Sequence, residues 1–231
     1  MTSSFPPLVA ALEGTLIVSC QAYPGEPMRD PRTMAQVAAA VAQGGASAVR
    51  AQGLEDVRCV KEAVDVPVIG IWKDGDQGVF ITPTLDHALA VLDAGADILA
   101  LDATDRPRPD GRTLARTVET LRARTDTPLM ADCDSAESAR HAAELGIEII
   151  GTTLAGYTPA REKTAGPDLA LLEELAGTLP ATSLLVAEGR VHTLAHAAAA
   201  RTAGARAVVV GTAITHPTSI TRWFHDAVTG A

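Results

Sequence analysis

Residues 85–102, LDHALAVLDAGADILALD, contain the pattern that decides the fold. The first part, 85–94, is rich in Ala and Leu and predicts a helix, and Gly95 is a favoured residue just past a helix end. The second part, 97–101, is a continuous apolar run after Asp97, which is typical of a strand buried on both faces of a parallel sheet. A helix is therefore followed directly by a buried strand that ends at Asp102.

The same passage from helix through glycine into strand occurs four times. The glycines that end these helical stretches are spaced 50, 51 and 58 residues apart, at Gly45, Gly95, Gly146 and Gly204. Each interval has room for about two strand–helix units. The strands between them are entered through Pro67 and Pro128, and proline is tolerated at the first residue of a strand.

Eight continuous apolar runs are predicted as strands, at 15–19, 47–50, 67–71, 97–101, 128–131, 148–151, 183–187 and 207–210. Helical composition lies between them at 34–43, 85–94, 114–122, 136–145, 169–176 and 193–202. Asp134 or Ser135 is the expected N-cap of the helix at 136–145, and Thr193 that of the helix at 193–202.

Eight units of about 29 residues each predict a single (β/α)8 TIM barrel of the phosphate-binding type over residues 1–231, with a short helical segment at about 5–13. A doubly wound open sheet is the alternative. It is disfavoured because no G-x-G-x-x-G motif follows the first strand.

Composition excludes several classes of function. Lys and Arg number 19 against 28 Asp and Glu, and the net charge of −9 argues against a nucleic-acid partner. No run approaches the length of a membrane span, and the first 13 residues lack the pattern of a signal peptide. Three cysteines without a C-x-x-C pair predict reduced thiols, and hence a cytoplasmic protein.

Lys73 and Glu188 are the strongest candidates for catalysis. They follow the third and seventh strands, so we expect them opposite each other at the carboxyl end of the barrel, where such barrels place their chemistry. A desolvated lysine has a lowered pKa and can act as a base. Two proton-transfer groups on opposite sides of a carbon are what an epimerisation requires. The alternative is an ion pair that only closes the barrel mouth.

A phosphate site is predicted in the loops after the seventh and eighth strands. Those loops contain Gly189, Arg190, Gly211 and Thr212, and this is the barrel region that commonly binds phosphate. Glycine lets backbone N–H groups approach an anion, and Arg190 would add positive charge. Alternatively, the two glycines serve only the turns from strand to loop.

Other polar residues carry weaker signals. Residues 106–109, Arg-Pro-Arg-Pro, predict either a rigid solvated loop or a rim for an anionic substrate. His141 and Glu144 share a helix face but lack a further ligand, so we predict no metal site. Cys20 and Cys133 are interpreted as small buried thiols.

Several stretches resemble the N-acetylmannosamine-6-phosphate 2-epimerase family. The longest are LDATDRPRP at 101–109 and GTTLAGYT at 151–158, and the others lie at 16–21, 49–53, 130–132, 187–190 and 210–215. The resemblance implies interconversion of N-acetylmannosamine 6-phosphate and N-acetylglucosamine 6-phosphate, a step of sialic acid catabolism.

The resemblance also implies roles for individual residues. Lys73 matches the proton-transferring lysine and Glu188 its partner carboxylate. Substrate-contacting positions are matched by Gln21, Arg50, Asp102, Asp132, Thr152, Thr153 and Tyr157. Phosphate-contacting loops are matched by Gly189, Arg190, Gly211 and Thr212. Deprotonation of C2 in the ring-opened sugar gives an enolate, which Arg50 would stabilise, and this chemistry needs no metal, nicotinamide or flavin.

Two positions depart from the family pattern. Asp74 follows the lysine where Arg is usual, which puts the lid over Lys73 in doubt. His216 follows Ala-Ile-Thr where Arg is also usual, which would weaken phosphate binding or make it dependent on pH. Two other functions stay open: a Schiff-base aldolase that uses Lys73 on a phosphorylated keto acid, and a phosphosugar-binding barrel without activity. The expected partner is a small phosphosugar, and a homodimer is left open.

Overall fold

The computed structural model describes residues 5–230, and its eight parallel strands form a closed barrel in sequence order. The strands are β1 Leu16–Cys20, β2 Ala48–Gln52, β3 Val68–Ile71, β4 Ile98–Asp102, β5 Leu129–Asp132, β6 Ile149–Gly151, β7 Leu184–Ala187 and β8 Ala207–Val210. The predicted TIM barrel is confirmed. β1 pairs with β8 through Leu16 and Val208, and this pairing distinguishes the barrel from an open sheet.

Helices precede and connect the strands, and most pack on the outside of the barrel, whereas Val9 in the first helix belongs to the cluster that fills the barrel interior. The helices are α1 Pro7–Ala10, α2 Pro31–Gln43, α3 Leu54–Ala63, α4 Leu85–Asp93, α5 Leu114–Arg122, α6 Ala136–Glu144, α7 Leu169–Thr178, α8 Leu194–Thr202, α9 Thr212–Thr215 and α10 Pro217–Thr229. α1 is shorter than the segment predicted at about 5–13. None of these helices is long and apolar enough to cross a membrane.

The predicted helix ends are confirmed. Ser135 caps α6 with its side chain in a capping box, and Thr193 caps α8 by accepting from the His196 N–H. The four glycines that lead from helix to strand have positive φ angles between 79° and 103°, at Gly45, Gly95, Gly146 and Gly204. Glycine adopts this conformation without steric cost, which explains the repeat.

Two apolar layers lie on the two faces of the barrel wall. Ile17, Ile69 and Met130 belong to the cluster that fills the barrel interior, whereas neighbours such as Val18 pack outward against the helices. Because strand side chains alternate between faces, the residue two positions after an inward-facing one also faces inward. The inward series therefore changes from apolar to polar toward the carboxyl ends, and this places the site at that end of the barrel.

The outward layer leaves no room for a side chain at Gly70 in β3. An added Cβ would lie 2.6 Å from both the Val91 Cγ1 and the Ala96 Cβ. We therefore predict that Gly70→Ala lowers the free energy of unfolding by about 1–3 kcal/mol. Denaturant unfolding followed by circular dichroism measures this change.

Gly177→Ala is the matched control. Gly177 lies in α7 with no atom within 4 Å of an added Cβ. Alanine is the better helix former, so this variant should be more stable by about 0.5–1 kcal/mol. Equal effects of the two substitutions would contradict the packing described for β3.

Candidate active site

A cavity of about 900 Å³ opens at the carboxyl end of the barrel. Nine of the predicted site residues line it: Gln21, Lys73, Thr153, Tyr157, Glu188, Gly189, Arg190, Gly211 and Thr212. The four that do not line it are Arg50, Asp102, Asp132 and Thr152. The structure therefore brings the two candidate proton-transfer groups and both glycine loops to one cavity.

Lys73 lies two residues after the end of β3, and its side chain lines this cavity. Its Nζ donates to the Gln21 Oε1 over 2.8 Å, and the Gln21 Nε2 donates to the Ser19 Oγ over 2.8 Å. Burial, and next the positive charge of Arg50, lower the pKa of Lys73 to about 8. About one tenth of the amine is therefore uncharged at pH 7, far more than at the ordinary lysine pKa, and this is the form in which a general base acts.

Glu188 belongs to a cluster of buried charges centred on Arg50. The Arg50 Nη1 donates to the Glu188 Oε2 over 2.7 Å and to the Asp132 Oδ1 over 2.9 Å, while its Nη2 pairs with the Asp132 Oδ2. Thr153 donates through Oγ1 to the Asp132 Oδ1 over 2.6 Å. Arg50 is 1% exposed, so these carboxylates replace the water that its two Nη groups have lost.

The cluster contains one cation and two carboxylates. Burial and the negative charge of Asp132 raise the pKa of Glu188, whereas Arg50 opposes this rise. A carboxyl group with a raised pKa retains a proton more readily and can act as a general acid. Thr152 contributes by fixing the backbone, because its Oγ1 donates to the Glu188 carbonyl over 3.0 Å.

Asp102 lies outside the cavity wall. Its carboxylate accepts from the Thr104 N–H over 2.9 Å, from the Thr104 Oγ1 over 2.6 Å and from the Arg106 Nη2 over 2.6 Å. Arg108 is buried and donates to the Asp102 carbonyl. The sequence predicts either a solvated loop or a rim for an anionic substrate at 106–109. Arg108 fits neither prediction, because it is buried and joins the loop to the end of β4.

The two positions that depart from the family pattern are both held by histidine–carboxylate hydrogen bonds within the chain. The Asp74 carboxylate lies 3.2 Å from the His87 Nε2. The His216 Nε2 pairs with Glu26, and its Nδ1 accepts from the Ser219 N–H over 3.2 Å at the start of α10.

Sequence reasoning missed further cavity residues. Ser19 and Gln52 line the cavity and face inward two positions before Gln21 and two positions after Arg50. The two-residue period could have identified them. Tyr23 also lines the cavity, with its ring centroid 5.3 Å from the Lys73 Nζ. It lies in a loop, where no period gives a signal.

Within residues 5–230, no three His, Cys, Asp or Glu side chains are grouped so that they could hold a metal ion. The polar groups at the cavity include the amine of Lys73, the carboxylate of Glu188 and the amides of Gln21 and Gln52, together with hydroxyl groups and other charged side chains. This set suits proton transfer to and from a small polar molecule.

Known proteins resemble the chain over most of its length. Residues 34–230 match the model of a protein family described as "Putative N-acetylmannosamine-6-phosphate epimerase". A Cutibacterium acnes protein described as "Putative N-acetylmannosamine-6-phosphate 2-epimerase" is 58% identical over 221 residues, which cover 96% of each chain. A Corynebacterium glutamicum protein with the same description is 48% identical over 220 residues, which cover 94% of each chain.

A solved structure gives the same assignment. The N-acetylmannosamine-6-phosphate 2-epimerase from Clostridium perfringens superposes with a TM-score of 0.91 at 38% sequence identity, and the superposition covers 96% of each chain. The shared architecture therefore extends over the strands and loops that form the cavity. The chain belongs to the N-acetylmannosamine-6-phosphate 2-epimerase family.

Proposed function

We propose that the protein interconverts N-acetylmannosamine 6-phosphate and N-acetylglucosamine 6-phosphate, a step of sialic acid catabolism. The observation that carries this proposal is the placement of Lys73, with a pKa of about 8, and Glu188 on the wall of one cavity. Family membership supplies the substrate class. The two side chains supply the proton transfers that inversion at C2 requires.

The reaction starts from the ring-opened sugar, in which the C1 aldehyde acidifies the C2–H bond. The neutral amine of Lys73 takes the proton and becomes an ammonium group, and the electron pair of the C–H bond moves into an enolate. The carboxyl group of Glu188 returns a proton to C2 from the other face. One turnover thus leaves Lys73 protonated and Glu188 ionised, and exchange with solvent restores both groups. In the reverse direction the two groups exchange roles.

Arg50 contributes electrostatically from below the cavity. Its guanidinium is committed to Asp132 and Glu188 and does not line the cavity wall. A fixed positive charge in this buried position stabilises negative charge that develops on Glu188 and on a nearby enolate. We propose this indirect role for Arg50 and a structural role for Asp102, in place of direct contacts with the sugar.

The phosphate group is assigned to the two glycine loops. Gly189 and Gly211 line the same cavity as Lys73. An added Cβ at Gly211 would lie 3.3 Å from the Ser19 Cβ, so glycine at this position keeps the loop close to β1. Backbone N–H groups of Gly189, Gly211 and Thr212 then hold the phosphate against the net charge of −9.

We infer a cytoplasmic site of action from the thiols. Cys20, Cys59 and Cys133 are all free, and two of them are buried. Free thiols persist in reducing compartments, which supports this inference.

We also propose that the protein is a homodimer that buries α10. The helix has no buried residues. Its apolar side chains Phe224 and Val228, one turn apart, are 70% and 84% exposed. Apolar residues gathered on one helix face mark an interaction surface. Most soluble oligomers of one chain are symmetric dimers.

The dimer predicts a change of mass when α10 is altered. Sedimentation equilibrium should give twice the monomer mass for the native protein, and about the monomer mass for Phe224→Glu. Glu173→Gln, on the exposed face of α7, should leave the dimer intact. A native protein that sediments as a monomer at micromolar concentration would contradict the proposal.

The proposed chemistry predicts isotope uptake from solvent. Incubation with N-acetylmannosamine 6-phosphate in deuterated water should give N-acetylglucosamine 6-phosphate with one deuterium at C2, detected by NMR. Deuterium should enter the product before the remaining substrate, because each face of C2 has its own proton-transfer group. Product that retains the original C2 hydrogen would contradict two separate groups.

The same assay tests the two residues. Lys73→Ala and Glu188→Gln should each lower kcat by about 10²–10⁴-fold, because each removes a proton-transfer group. Lys61→Ala is the matched control, since Lys61 pairs with Asp97 on the outside of the barrel. Full activity in either site variant, with native circular dichroism, would remove that residue from the mechanism.

The pKa of Lys73 predicts how the rate depends on pH. Lysine acts as a base only when it is uncharged and Glu188 acts as an acid only when it is protonated, so kcat/KM for N-acetylmannosamine 6-phosphate should give a bell-shaped pH profile with one limit near the Lys73 pKa of about 8. Initial rates from pH 5 to 9.5 measure both limbs, and Lys61→Ala should reproduce the native profile. A profile without a break near pH 8 would remove the titration of Lys73 from the mechanism.

A further inference from the structure

Arg190 has a backbone conformation that is rare for a residue with a side chain. Its φ is 56°, and that of Gly189 before it is 106°. The left-handed region costs a non-glycine residue about 1–2 kcal/mol. Such a conformation persists where surrounding contacts compensate for it.

The compensating contacts all lie in one loop. The Arg190 Nε donates to the Gly166 carbonyl over 3.0 Å, Nη1 to the Ala155 carbonyl over 2.7 Å and Nη2 to the Thr164 Oγ1 over 2.9 Å. The guanidinium thus donates all three of these bonds to the connection between β6 and α7, although Arg190 also lines the cavity. Arg190 is 8% exposed, so these three bonds are largely shielded from water.

The three acceptors lie on both arms of this connection, which we name the 155–166 loop. Ala155 is on the arm that leaves β6, whereas Thr164 and Gly166 are on the arm that returns toward α7. The arms approach so closely that a Cβ on Gly156 would lie 2.7 Å from the Lys163 Cα. One planar guanidinium therefore bridges the two arms, which the single ammonium group of a lysine cannot reproduce.

Tyr157 lies at the turn of the 155–166 loop. Its ring lines the cavity, and the Arg190 guanidinium carbon lies 5.1 Å from the ring centroid. The Lys163 Nζ lies 5.0 Å from the same centroid. The two cations fix the position of a ring that is otherwise half-exposed.

We propose that Arg190 is a positioning residue that ties the two arms of the 155–166 loop together and holds Tyr157 at the substrate cavity. It acts through the loop and not as the cation that binds the phosphate. This role rests on the proposed function for its effect on catalysis, but its effect on the loop is independent of any substrate.

The first test uses the protein without substrate. Arg190→Lys keeps the positive charge but loses the planar guanidinium that bonds both arms. Amide hydrogen exchange in 155–166 should therefore become about tenfold faster or more. Thr164→Val removes one acceptor at an exposed position, and should give a smaller acceleration in the same segment. Arg140→Lys, at a surface pair with Glu174, is the control and should leave the segment unchanged. Native exchange in 155–166 for Arg190→Lys would overturn the proposal, even if the protein proves to have another activity.

The second test separates positioning from phosphate binding. Arg190→Lys should lower kcat/KM about tenfold or more for N-acetylmannosamine 6-phosphate, and by a similar factor for any turnover of unphosphorylated N-acetylmannosamine. Inorganic phosphate should bind native protein and Arg190→Lys with Kd values within about twofold, measured by calorimetry. A loss confined to the phosphorylated sugar, or a phosphate Kd raised tenfold in Arg190→Ala, would show that the guanidinium binds the phosphate instead.

Discussion

The buried charge of Arg50 is the interaction on which the site depends. It lies where the apolar interior of the barrel ends, with Asp132 on one side and Glu188 on the other. A guanidinium in this position is stable only with carboxylates to replace its hydration, so the orientation of Glu188 is determined by Arg50. The same positive charge adds to the effect of burial and lowers the pKa of Lys73. One buried cation therefore adjusts both groups that the proposed reaction uses.

This arrangement explains why the two proton-transfer groups can have opposite tendencies at the same pH. Desolvation disfavours the charged form of each, so it lowers the pKa of Lys73 and raises the pKa of Glu188. A neutral amine and a protonated carboxyl group are the forms needed to start the forward reaction. Asp132 moves both groups in the opposite sense to Arg50, raising the pKa of each. The balance between one cation and two carboxylates therefore controls the pH range in which both forms coexist.

The architecture could be predicted from the sequence because its signals are local. A helix that ends at Gly95 and a continuous apolar strand at 97–101 can each be predicted from residues that are adjacent in the sequence. Eight such units in one chain leave few possible sheet topologies. α3 was missed because it begins after Gly53, without a side-chain cap, and its sequence mixes Val and Cys with charged residues. Lys73 and Glu188 could be located because each lies within two residues of the end of an apolar strand.

The direction of long side chains could not be predicted in this way. Arg50, Asp102 and Arg190 are predicted at the substrate; the structure shows that each also makes hydrogen bonds within the chain, and of the three Arg190 lines the cavity. Their partners, such as Glu188 for Arg50 and Gly166 for Arg190, are distant in sequence, so no local pattern identifies them. The left-handed backbone of Arg190 also changes the direction of its side chain. This conformation is predicted from sequence mainly at glycine, so an arginine gives no sign of it.

Strands and loops contribute different parts of the site. The reacting groups follow strands, which are rigid, whereas the loops around the cavity are held by hydrogen bonds within the chain: Asp74 with His87, Glu26 with His216, and Arg190 with the 155–166 loop. Arg190 and His216 line the cavity while they make these contacts, so the same side chains belong both to the loops and to the cavity wall. In the proposed function the phosphate is held by backbone N–H groups, which do not titrate. The pH dependence of the proposed proton transfers therefore rests on Lys73 and Glu188, the two groups whose pKa values burial shifts in opposite directions.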